Sequence, residues 1–174
     1  MQRGMDTVSQ RMIGAAMLNP QAYEAVERDV GANKTALIIV VASAIFAGIG
    51  SLTDNGLGGL IGGVAAAIVS WVLYAIAAYL IGTKVFKTSA TESTLGECLR
   101  TLGFAQVPAF FLILSGIPLL GALIGIIVFI WILATTVVAL RQALDFSSTG
   151  RAIITAVVSW IVYIIPYAIL VALI

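Results

Sequence analysis

Charged side chains are absent from residues 35–53, 55–83, 101–140 and 152–174, runs of 19, 29, 40 and 23 mostly apolar positions. A bilayer's hydrocarbon core is about 30 Å thick and takes roughly 20 apolar helical residues to cross. Three runs fit one crossing each. The longest fits two, with a break near Ser115-Gly116-Ile117-Pro118. The pattern predicts an all-α polytopic membrane bundle of five transmembrane helices, at about 35–52, 59–82, 102–116, 119–140 and 152–173.

The polar remainder predicts short interfacial helices. Within 1–18, Val8, Met12, Ile13 and Ala16 recur at helical spacing with Arg11 off that face, which suits a helix in the headgroup layer. Asn19-Pro20 reads as an N-cap and a first-turn proline, opening a second surface helix that carries Tyr23 and Val26 on one face and stops at Gly31. These elements make a cytoplasmic amphipathic segment, 1–34, ahead of a membrane domain, 35–174. Before the third span, Thr94-x-x-Glu97 reads as a capping box. Leu95, Cys98, Leu99 and Leu102 form the stripe of that helix, and Glu97 and Arg100 are spaced to pair.

Small residues punctuate the spans. Gly58/Gly62 and Gly59/Gly63 are overlapping GxxxG pairs, and Gly121/Gly125 repeats the device. Such spacing lets helix backbones approach in lipid, either within the bundle or between copies of the chain. Pro108 predicts a kink in the third span, with the Gln106 amide available to the freed backbone or to a neighbouring helix. Trp71, Trp131 and Trp160 fall nearer mid-membrane than the ends, so their indole N–H groups need partners across the bundle. Ser70-Trp71-x-x-Tyr74 and Ser159-Trp160-x-x-Tyr163 look alike, a match that so restricted an alphabet produces by chance.

Charge sets the orientation. All nine Lys and Arg fall in the N-terminal segment or in alternate loops, none in the loops at 53–56 and 115–118 or after 152. The positive-inside rule then predicts a multi-pass protein of the cell membrane, N-terminus cytoplasmic and C-terminus external. Hydrophobic residues make up 61% and charged residues 10%, too apolar for a water-soluble fold. The net charge of +1 offers nothing to nucleic acid. The chain has no histidine, which excludes imidazole metal sites, bases and haem ligands, and one cysteine, which excludes an intrachain disulfide. With its acidic residues all in loops, no catalytic residue, cofactor or metal is expected and the chain reads as no enzyme.

The segment 17–29 (Met-Leu-Asn-Pro-Gln-Ala-Tyr-Glu-Ala-Val-Glu-Arg-Asp) resembles the N-terminal segment of prokaryotic Yip1-domain proteins. The segment 94–108, with Arg100, Gly103-Phe104-Ala105, Gln106 and Pro108, resembles that family's central signature. Trp131, Ala139-Leu140 and the stretch 148–152 resemble its fourth span and exit. The resemblance implies a five-span bundle. Eukaryotic members are linked to ER and Golgi vesicle traffic and to Rab GTPases through a longer cytosolic N-terminus. About 34 residues stand there in this chain, a length that speaks against GTPase binding. The expected role is an accessory subunit or membrane organiser in contact with lipids and with other membrane subunits or a second copy. The alternative is a transporter or channel, which without ionisable residues in its spans would take a neutral or lipidic substrate.

Overall fold

Helices account for the fold because lipid offers the backbone no water to bond. Each span must close its own N–H and C=O groups. The structure, a computed structural model, describes residues 7–172, so the first six residues of the expected N-terminal helix lie outside it. The chain runs α1 (Val8–Ala16), α2 (Pro20–Arg28), α3 (Ala32–Gly50), α4 (Leu52–Leu80), α5 (Leu95–Phe104), a 3-10 segment (Val107–Gly116), α6 (Gly121–Ala143) and α7 (Thr149–Ala172). Five stretches are long and apolar enough to cross a bilayer: Ala32–Gly50, Gly56–Val85, Leu95–Gly116, Gly121–Ala143 and Thr149–Ile169. The chain is therefore a multi-pass membrane protein.

Local chemistry sets the boundaries. Thr7 and Gln10 form a capping box on α1, Asn19 caps α2 ahead of Pro20, and Thr94 and Glu97 form the capping box of α5. Gly56 turns the chain between the first two spans at φ 61°, a left-handed conformation that glycine adopts without steric cost. Pro108 interrupts the third span more deeply than a kink. Gln106 N–H bonds Gly103 and Ala109 N–H bonds Gln106, so the span continues from α5 as a 3-10 helix.

Short helices do stand at the N-terminus and before the Pro108 break, but they are drawn into the bundle. Tyr23 and Val26 of α2 are fully buried, in one core with Ile39 of α3, Leu102 and Phe104 of α5 and Leu140 of α6. Residues 7–30 thus share a core with the membrane domain. α1 and α2 form an antiparallel hairpin closed by Arg11 and Asp29 at 2.5 Å. That guanidinium holds the Asp29 carboxyl below its ordinary range.

Apart from Gly121, the glycines that carry close packing within the chain lie outside the GxxxG pairs. A Cβ at Gly103 would stand 2.6 Å from the Cβ and 3.0 Å from the Cα of Ala36, so α5 and α3 touch there backbone to backbone. Gly50 faces the main-chain carbonyl of Leu112, and Gly121 that of Ser115. A Cβ at Gly58, Gly62, Gly63 or Gly125 would meet nothing within 4 Å, and Gly59 is exposed. Gly103→Ala is accordingly expected to lower the melting temperature in detergent, with an overpacking cost on the order of 1–3 kcal/mol. Gly62→Ala is expected to leave it unchanged or raise it, since Ala exceeds Gly in a helix by roughly 0.5–1 kcal/mol. Matching thermal melts for the two variants would refute this packing scheme.

Candidate functional site

Two carbonyls lack a backbone donor, one beside Pro108 and one at the end of α1, and one face of α6 supplies both replacements. In a 3-10 turn the Ala105 carbonyl would pair with the N–H of residue 108, but Pro108 has none, and Ala109 N–H bonds Gln106 instead. Thr135 Oγ1 donates to Ala105 O at 2.8 Å, while also lying 3.1 and 2.9 Å from the carbonyls of Trp131 and Ile132 on its own helix. At the end of α1, the Ala16 carbonyl is a helix-end acceptor with no backbone donor, because the chain reverses at Leu18 (φ 60°). Trp131 Nε1 donates to Ala16 O at 2.7 Å. Trp131 and Thr135 are one helical turn apart, so one stripe of α6 fastens the N-terminal hairpin and the broken third span together.

The family-like residues converge on this junction. Buried Arg100 bonds the Glu27 carbonyl at the end of α2 through Nε at 2.7 Å and through Nη2, and pairs with Glu97 at 3.5 Å. Phe104 is buried beside Gly103 and Pro108, and Phe111 stacks on Trp131 with centroids 5.5 Å apart. Gln106 takes part through its main chain, whose carbonyl accepts Ser43 Oγ at 3.0 Å. Of the other tryptophans, Trp71 donates to Leu99 O at 3.0 Å, while Trp160 is half exposed. The two look-alike motifs meet through their tyrosines. Tyr74 and Tyr163 pack edge-to-face at 5.6 Å, and Tyr74 donates to the Ala156 carbonyl. The partners of Trp71 and Trp131 could not be read from spacing, because the accepting carbonyls lie 28 and 115 residues away in the chain.

Two hollows flank the junction. An apolar cavity of about 690 Å³ lies among the spans, with Ser70, Trp71, Gln106, Thr136, Trp160 and Tyr163 in its wall. The Ser70 and Thr136 hydroxyls and the Gln106 amide have no hydrogen-bond partner among the described residues. At the end where the basic residues gather, a polar pocket of about 710 Å³ is lined by Glu27, Lys84, Lys87, Glu92, Glu97 and Asp145. Burial first, then the charges of Asp145 and Glu97, push the Glu27 carboxyl up to about 7. No three His, Cys, Asp or Glu residues among the described ones are placed to hold a metal ion.

Five apolar spans and a side-chain-locked helical hairpin define a polytopic helical membrane protein. The chain belongs to the Yip1 domain family, whose model matches residues 15–170, nearly its whole length. No curated protein and no solved structure matches it significantly.

Thr135→Val should leave the buried Ala105 carbonyl unpaired and cost about 1–3 kcal/mol. Pro108→Ala restores an N–H beside that carbonyl, so the cost of Thr135→Val should shrink in its background. A double-mutant cycle on thermal stability reads the coupling, and strictly additive costs would rule out the proline as the origin of the orphan.

Proposed function

We propose that this Yip1-family chain is a non-enzymatic accessory subunit or organiser of the cell membrane, working through helix–helix contacts and the surface at its basic end. The supporting observation is the lock itself. Trp131 and Arg100 hold the N-terminal hairpin in one defined position on the bundle, beside a pocket of mixed charge. A fixed, charged surface on an apolar anchor suits docking to another membrane subunit or a second copy. In this reading the basic end and N-terminus are cytoplasmic and the C-terminus is external. GTPase binding, which the family resemblance attaches to longer N-termini, is left out of it. Purified in mild detergent, the chain should arrive with a stoichiometric partner or as a homo-oligomer, and a reporter fused after Ile174 should read as external. A monomer of about 18 kDa, or a cytosolic reporter, would count against it.

The apolar cavity favours a second reading, a conduit for a neutral or lipidic molecule. Its volume of about 690 Å³ lies within the roughly 300–1,000 Å³ of small-molecule sites, and its unpaired hydroxyls and amide could orient a polar head. Flux of such molecules from reconstituted vesicles should fall with Gln106→Leu. Flux indistinguishable from protein-free vesicles would eliminate the conduit and leave the docking role standing.

A further inference from the structure

The uncharged part of α6, residues 121–140, ends at Arg141, and its length matches one bilayer core. Trp131 stands ten positions before Arg141, or about 15 Å along the helix. Since Trp131 Nε1 holds the Ala16 carbonyl at 2.7 Å, the tip of the α1–α2 hairpin lies near the middle of the membrane, well below the headgroups. Three further observations agree. Residues 12–23 around the tip carry no charge, whereas Arg11, Glu24, Glu27, Arg28 and Asp29 lie toward the open end. Each hairpin helix has nine residues, close to 14 Å and about half a bilayer core. The outer face of the tip is apolar, with Ile13 61%, Met17 74% and Leu18 38% exposed. Gln21 is an exposed amide near the tip, beside Asn19, whose side chain caps α2.

We infer that the α1–α2 hairpin is a half-membrane wedge whose outer face, through Ile13, Met17 and Leu18, rests on lipid acyl chains in the leaflet of the basic end. That face is continuous with the lipid-exposed surface of the spans through Phe111, which is half exposed and stacks on the Trp131 that holds the tip. The basic-side half of the bundle then contains α1, α2 and all five spans, while the other half contains the spans alone. The protein is wider in one leaflet than in the other, which gives the proposed organising role a physical means. The inference rests on the five spans and not on a protein partner.

Single cysteines placed at Ile13, Met17, Ile130 and Ser89 in a Cys98→Ser background test it. Nitroxide-labelled and reconstituted in phosphatidylcholine liposomes, each is scored for collisions with dissolved oxygen and with a water-soluble nickel chelate. Cys98 is buried, so leaving it in place gives the same comparison if its substitution unfolds the chain. Ile130 is exposed on a span and Ser89 lies in an exposed polar loop, so they set the lipid and water limits. Ile13 and Met17 are expected to lose chelate collisions relative to Ser89, down to the level of Ile130. Either position reading as Ser89 does overturns the wedge and puts the hairpin in a water-filled recess. A partner-free monomer would undo the docking role but leave this result untouched.

Discussion

A carbonyl released from its helix inside a membrane has no water to turn to, and much of this architecture follows from that. A neutral group left unpaired in an apolar setting costs several kcal/mol. The chain leaves such carbonyls at Ala16, where α1 ends, and at Ala105, ahead of Pro108, and answers both with α6 donors one turn apart. The same solution recurs wherever elements meet. Ser43 reaches Gln106, Trp71 reaches Leu99, Tyr74 reaches Ala156 and Tyr23 reaches Ala15, in each case a side-chain donor on a main-chain carbonyl. The hydrophobic effect gives little drive between helices where lipid tails are equally apolar, so these directional bonds and the close packing at Gly50 and Gly103 specify the arrangement.

The basic residues follow the same rule at the membrane edge. Arg100 holds the end of α2, Arg141 reaches the Phe146 and Ser147 carbonyls of the α6–α7 loop, and Arg151 reaches the Phe86 carbonyl after α4. Guanidinium groups suit this because they remain charged and offer several donors in a fixed fork. A charge bias that marks one side of the membrane therefore also ties that side together. Lys84 and Lys87, which have no such partner among the described residues, line the polar pocket instead.

Span count, helix caps and the break at Pro108 were legible in the sequence because each is set by local chemistry: an uncharged run, an Asn19-Pro20 pair, a missing N–H. What covers an apolar face was not legible. The Tyr23/Val26 face of α2 reads equally well as lipid-facing or protein-facing, and it is protein that buries it. The pairs Gly58/Gly62 and Gly59/Gly63 raise a related point. Spacing shows that Gly58 and Gly62 permit close approach but not that a helix is there, and open space surrounds both. Gly50 and Gly103 carry no GxxxG pattern, and their importance depends on Leu112 and Ala36, tens of residues away. The partners of Trp71 and Trp131 were likewise a matter of tertiary structure, although the need for partners was not.

The donors that lock the interior are hydroxyls, indoles and a guanidinium, none of which changes charge near neutral pH. The lock is therefore indifferent to the conditions on either side of the membrane. The basic end differs. There Glu27 is neutral below about pH 7 and charged above it, facing Asp145 and Glu97 of like charge as well as Arg28 and Arg100. Its own main-chain carbonyl is the one that Arg100 grips. The hairpin's open end thus places a titratable side chain beside the clamp that fixes it, while the tip is held by groups that do not titrate near neutral pH.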